Sequence, residues 1–135
     1  PTHGLGDISR LVEGVRAAGG DVHLDDRCGG SLDGSFERPI GVAAYRIVQE
    51  ALTNALKHAG PARIDVVVTC DDDELAVRVV DDGRGSAALG TEGGGRGIPG
   101  MRERATVHHG TLTAGPRVGG GFRVEAHLPR QGASR

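Results

Sequence analysis

Two pairs of segments in this chain alternate between apolar and polar residues, and no other feature constrains its fold as much. ARIDVVVTC and ELAVRVVD flank the short run DDD, and GTLTAGP and GFRVEAHLP flank RVGGG. Successive side chains of a strand point to opposite faces, so each pair reads as a β-hairpin with one buried and one wet face. A sheet with an apolar face needs a second layer to cover it. The rest of the chain supplies that layer. GDISRLVEGVRAAGG carries Ile8, Leu11, Val12 and Val15 at helical spacing and stops at Gly19-Gly20. A longer helix begins at Pro39, a residue suited to a first helical turn, and ends at Gly60-Pro61. IPGMRERATVHH reads as a short helix, DVHLDD as a short strand and residues 28–36 as loop. The expected architecture is an α/β two-layer sandwich, with a mixed, mostly antiparallel sheet of about five strands covered on one face by about three helices.

With 135 residues the chain has the length of one domain. We read residues 1–130 as that domain, with helices over 4–20 and 39–59, a glycine-rich loop over 83–97 and a disordered tail over 131–135. The sequence shows no internal repeat. Aromatic residues are 2% of the chain, so Val, Leu, Ile and Ala must build its core. The net charge of −2, with only Phe36, Tyr45 and Phe122 aromatic, argues against nucleic acid as a partner. Cys28 and Cys70 stand far apart without a Cys-x-x-Cys pairing, which predicts reduced thiols in a cytosolic setting. No apolar run approaches the roughly 20 residues of a membrane span, and no segment of the sequence reads as a signal peptide. The start at Pro1 rather than Met suggests a piece of something longer.

On a helical wheel the long helix divides cleanly. Ile40, Ala44, Ile47, Val48, Ala51, Leu52, Ala55 and Ala59 fall within an arc of roughly 140° that faces the core. Arg46, Gln49 and Thr53 fall on the solvent side, and Glu50, Asn54 and Lys57 at the margin. Glu50 and Asn54 are four apart and stack on one face. A carboxylate and an amide oxygen so placed can share a hard cation or its bound water, as Mg²⁺ sites do. Taken alone, the segment favours the plainer reading, an ordinary solvated hydrogen bond between them. His58 lies beside the apolar arc, where a hydrogen-bonding role at the core edge is the default.

In LAVRVVDDGRG, Asp81 shares the parity of Leu75, Val77 and Val79, so it points to the buried face while Asp82 does not. A desolvated carboxylate needs a donor, and the exocyclic amine of a purine is one. Gly83 and Gly85 would let the backbone approach a flat ring. An Asp-Gly hairpin turn is the plain alternative, yet no second strand follows it. GGGRGIPG then places Gly95, Gly97 and Gly100 ahead of a helix, where backbone N–H groups favour phosphate. Neither a dinucleotide-binding βαβ fingerprint nor a Gly-Lys-Ser/Thr loop is formed. The segment reads as a lid over phosphates, with Arg96 as a charge partner, or else as a flexible linker.

In this order, RIVQEALTNALKHA, DDGRG and GRGIPGMRERA resemble the N box, the D-x-G-x-G box and the second glycine box of the ATP-binding domain of two-component sensor histidine kinases. This is the superfamily shared with gyrase, heat-shock chaperones and mismatch-repair ATPases, whose fold is the Bergerat type. GMRER and QEALTNALKHA are most like the sensor kinases that pair with helix-turn-helix response regulators, and the likeness runs from Gly4 to Pro129. The resemblance implies ATP and Mg²⁺ as cofactors. Asn54 would ligate the metal, Glu50 would hold metal-bound water or polarise the attacking group, and Lys57 and His58 would reach the phosphates. Asp81 would read adenine, with Gly83 and Gly85 shaping the pocket. Gly95, Arg96, Gly97, Ile98, Gly100 and Met101 would form the phosphate-side lid. It also implies a γ-phosphate transfer to a histidine in an upstream dimerisation and acceptor domain, then relay to a response regulator. The parent would be a homodimer, cytoplasmic or membrane-anchored, while this piece makes no membrane contact of its own.

Two positions depart from the family pattern. Phe122 stands where the last glycine box usually carries a small hydroxyl residue, and VHHG replaces a more usual Gly-Gly pair. His3, His23, His108, His109 and His127 do not lie in an acceptor context. A serine kinase of the anti-sigma-factor type and a non-catalytic ATP-sensing module remain alternatives within the same fold.

Overall fold

The computed structural model describes residues 4–28, 38–58, 60, 62–83 and 97–130. A 3-10 turn, Leu5–Asp7, leads into α1, Ile8–Ala17, and then β1, Asp21–Asp26. The long helix α2, Arg38–His58, is followed by β2, Arg63–Cys70, and β3, Glu74–Asp81. Then come α3, Ile98–Val107, β4, Thr111–Pro116, and β5, Phe122–Pro129. The strands form one sheet in the order β1-β2-β3-β5-β4. β1 runs parallel to β2, and every other pairing is antiparallel. The two alternating pairs of the sequence are thus the hairpins β2–β3 and β4–β5, joined edge to edge through β3 and β5.

Alternation decides which face is covered. Ile64, Val66 and Val68 of β2, Leu75, Val77 and Val79 of β3, and Val124, Ala126 and Leu128 of β5 are all buried. They meet Ile8 and Val12 of α1, Ile40, Ile47, Val48 and Leu52 of α2, and Met101 and Ala105 of α3 in one core. Asp65, Arg78, Arg123 and Glu125 carry the opposite parity and form the wet face. Burying the apolar faces at about 25 cal/mol per Å² is what holds the two layers together.

The buried stripe of α2 is wider than its amphipathic pattern suggests. Gly41, Ala43 and Tyr45 are enclosed besides the expected arc. The 3-10 turn lies across the start of α2 and Leu5 covers Gly41, while Ala43, about 200° round the helix from Gly41, lies beside Arg104 and Val107 of α3. A methyl group at Gly41 would come within 3.1 Å of the Leu5 nitrogen. Ala59 falls outside the described residues.

The cysteines correct the expectation of reduced thiols. Cys28 and Cys70 form a disulfide, with Cα atoms 5.0 Å apart. Their separation of 42 residues hides a neighbourhood that the sheet creates. β1 and β2 pair in parallel up to Asp26 opposite Val68, and the Arg27 N–H still donates to the Val68 carbonyl. Two residues beyond that last pair on each strand, the two sulfurs meet.

Candidate functional site

The last turns of α2 lead through Gly60 into β2, whose Ile64 stands opposite Asp81. This connection brings the polar end of α2 and the close of β3 to one end of the sheet. Asn54, at 7% exposure, and Asp81, at 5%, are the buried polar residues of the described core. Asn54 therefore sits deeper than a helix margin. Glu50 and His58 are half-buried and Lys57 is exposed. The Nε2 atom of His58 is enclosed and has no hydrogen-bond partner among the described residues. Such an atom is an exception that calls for a ligand, a water or an ion.

The parity argument separates the two aspartates correctly. Asp81 faces the covered side, and its Oδ1 accepts the Gly83 N–H at 2.9 Å, a tight turn that takes the chain off the strand. Asp82 is exposed and ties the strand edge instead. Its Oδ1 accepts the Arg63 N–H at 2.8 Å, while its own N–H donates to the Arg63 carbonyl at 3.2 Å.

A second glycine cluster, in the β4–β5 turn, buttresses the Asp81 strand end. Gly121 has φ +97°, and any Cβ there would overlap the Asp81 carbonyl oxygen. Arg117 also donates to that carbonyl, at 3.3 Å. Phe122 pairs with Asp81 and packs against the core, so this position has become a wall instead of a hydroxyl contact. The sequence signal for the buttress was the run Gly119-Gly120-Gly121, which marks a turn but does not say what the turn touches.

At the amino end of α3, Gly97 adopts the left-handed conformation, φ +67°, as N-cap. A Cβ on Gly97 would lie 3.2 Å from Oε1 of Glu50. The Glu50 carboxylate thus stands beside a helix N-terminus, where unpaired N–H groups and the helix dipole favour negative charge. Gly100 is exposed in the first turn, Ile98 is half-buried, and Met101 is fully enclosed in the core, where its contribution is packing. Gly85, Gly95 and Arg96 lie outside the described residues. No cluster of three or more His, Cys, Asp or Glu side chains able to hold a metal occurs among the described residues. The hard oxygens of Glu50 and Asn54 suit a cation that takes only one or two protein ligands, as Mg²⁺ does.

Comparison with known proteins bears on the family and the fold. Residues 41–132 match the model of the histidine kinase-, DNA gyrase B- and HSP90-like ATPase family. The sensor histidine kinase YxjM of Bacillus subtilis is 32% identical over 126 residues, which cover 93% of this chain and 30% of that protein. This chain therefore spans about a third of the relative it matches. Among solved structures, the blue-light activated histidine kinase of Erythrobacter litoralis superposes with a TM-score of 0.71 at 22% identity, over 98% of this chain and 44% of that one. The nucleotide-free catalytic domain of the histidine kinase ThkA gives 0.65 at 17% identity, over 94% and 95%. These two likenesses concern the fold. The matched segment contains α2 from Gly41 onward, Asp81 and α3, and the chain belongs to the histidine kinase-, DNA gyrase B- and HSP90-like ATPase family.

Proposed function

We propose that this chain is the ATP-binding catalytic domain of a sensor histidine kinase, and that it presents the γ-phosphate of ATP to a histidine in an acceptor domain of the parent protein. The observation that carries the reading is the pair of buried polar side chains at one end of the sheet, Asp81 closing β3 and Asn54 on α2. An ionised carboxylate only accepts hydrogen bonds, so a donor such as the adenine amine complements Asp81. Asn54 and Glu50 would hold Mg²⁺ or its bound water. The ion, when bound, neutralises charge on the phosphates, and the remaining task of the protein is positioning. Glu50, beside Gly97, would hold metal-bound water or polarise the attacking imidazole, while Lys57 and His58 would reach the phosphates from the helix end. The response regulator, the homodimeric parent and a cytoplasmic setting, where ATP is supplied, belong to the same proposal.

Titration calorimetry with ATP tests the adenine reader. Losing one charge-assisted hydrogen bond costs about 1.5–3 kcal/mol, so Asp81→Asn should weaken binding by about 10- to 150-fold. Unaltered affinity would remove Asp81 from this role. Asn54→Asp should chiefly lower Mg²⁺-dependent transfer of radiolabel to a supplied acceptor domain. An acceptor left unlabelled by the unmodified chain, despite tight ATP binding, would make this a sensing module instead.

A further inference from the structure

A groove of about 530 Å³ runs along the outside of the helical layer, between the first half of α2 and the second half of α3. The two helices are antiparallel there, since Gly97 at the start of α3 meets Glu50 while Val107 near its end shares the groove with Val42. Val42 is half-exposed, and Val107 is 65% exposed although it is one of the few large apolar side chains left in solvent. Arg38 and Arg46 of α2, with Arg104 of α3 and His108 just past its end, rim this apolar strip.

The arginines are the unusual part. Most other guanidinium groups among the described residues have partners, Arg78 aside: Arg16 meets Glu13, Arg63 meets Asp65, and Arg102 donates to the Leu112 carbonyl. Arg38, Arg46 and Arg104 make no hydrogen bond or ion pair among the described residues. The Nε of Arg104 is moreover enclosed without an acceptor. Three unpaired cations converging on one apolar strip repel one another, and a ligand carrying carboxylates relieves that repulsion. A groove between two antiparallel helices has the width to seat a third, whose apolar face would cover Val42 and Val107.

We propose that this groove is a docking surface for an acidic amphipathic helix of a partner protein. It is distinct from the nucleotide site, since the ten residues of α3 place its far end about 15 Å from Gly97. A helix seated there presses α3 against α2, and so holds the end of α3 that abuts Glu50.

The test uses two synthetic peptides of 18 residues, both with Leu at positions i, i+3, i+4 and i+7, one with Glu and one with Lys elsewhere. Each is titrated into the isotope-labelled chain, following backbone amide shifts by NMR and affinity by fluorescence anisotropy. The Glu peptide should shift Val42, Arg46, Arg104 and Val107 and bind more weakly as salt rises; the Lys peptide should do neither. Arg46→Glu, an exposed site, and Val107→Glu should each weaken the Glu peptide at least tenfold without changing ATP affinity. Shifts elsewhere only, equal binding of the Lys peptide, or no response to either variant would overturn the proposal. Binding to vesicles of anionic phospholipid, lost in the same variants while the peptide stays unbound, would overturn it in favour of a membrane surface.

Discussion

Breaking the Cys28–Cys70 bond should cost this domain a large share of its stability while leaving its nucleotide site intact. The bond joins residues 42 apart. The chain-entropy relation for a loop of that length gives about 13 cal/mol/K, or about 4 kcal/mol at 25 °C, lost from the unfolded ensemble when the bond is closed. Small domains have only about 5–15 kcal/mol of net stability. For 135 residues the entropy of unfolding is about 0.28 kcal/mol/K, so reduction should lower Tm by about 14 °C. With a urea slope of about 2 kcal/mol/M the midpoint should fall by about 2 M. Far-UV circular dichroism is the suitable probe, because the chain has no tryptophan. The oxidised protein is unfolded with and without dithiothreitol, alongside Cys28→Ala/Cys70→Ala, whose curve should coincide with the reduced one and ignore the reductant. ATP affinity should not change, because Cys70 lies six ladder positions from Ile64, the partner of Asp81, or about 20 Å along the strand. Superimposable curves for oxidised and reduced protein, or two titratable thiols in the denatured, unreduced protein, would refute the reasoning.

Three further outcomes are expected. Gly121→Ala forces a side chain into φ +97° and onto the Asp81 carbonyl; it should lose about 2 kcal/mol or more in urea unfolding and weaken ATP binding together, whereas Gly14→Ala, in α1 with open space around it, should do neither. Ile47→Ala empties a fully buried position of α2 and should cost about 2–5 kcal/mol by the same measurement. His127 is held above its ordinary pKa, first by Glu74 at 2.7 Å from Nδ1 and then by Glu125 at 2.8 Å from Nε2. A raised folded-state pKa means that its stabilisation is complete below about pH 6.5 and fades as pH climbs through the higher folded value. Unfolding midpoints from pH 5.5 to 9 should show that decline in the native chain and not in His127→Gln.

Much of this molecule is legible locally. Alternation locates both hairpins and, carried to the last residue of β3, turns Asp81 inward and Asp82 outward, as found. The wheel finds the core arc of α2 and isolates Glu50 and Asn54. What local pattern cannot show is what a second element lays on top. Gly41 is enclosed because Leu5, more than thirty residues earlier, crosses the helix, and Ala43 because α3 packs on the other side. The disulfide is invisible because its proximity is made by the parallel register of β1 on β2, and neither spacing nor composition encodes that register. Asn54 reads as marginal on the wheel and is buried for the same reason: the wheel knows the helix but not its neighbours.

The buttress at Asp81 shows how such non-local packing serves the site. An inward carboxylate at a strand end can read a ligand only if that end does not fray, and terminal strand residues are where opening costs least. Here β3 is not an edge strand, because β2 pairs with it through Ile64 and β5 through Phe122, both directly opposite Asp81. The Gly83 N–H fixes one carboxylate oxygen, and Arg117 with Gly121 closes over the carbonyl. The acid is thereby held in place before any ligand arrives, so less binding energy goes into ordering it. The same reasoning explains why three consecutive glycines occur in the β4–β5 turn. Gly119, Gly120 and Gly121 all have positive φ, a path other residues follow only under strain, and it is the path that lets backbone meet backbone at the acid. On this view the strand-end acid and the glycine turn are one unit. Asp81→Asn should remove affinity and keep stability, whereas Gly121→Ala should lose both.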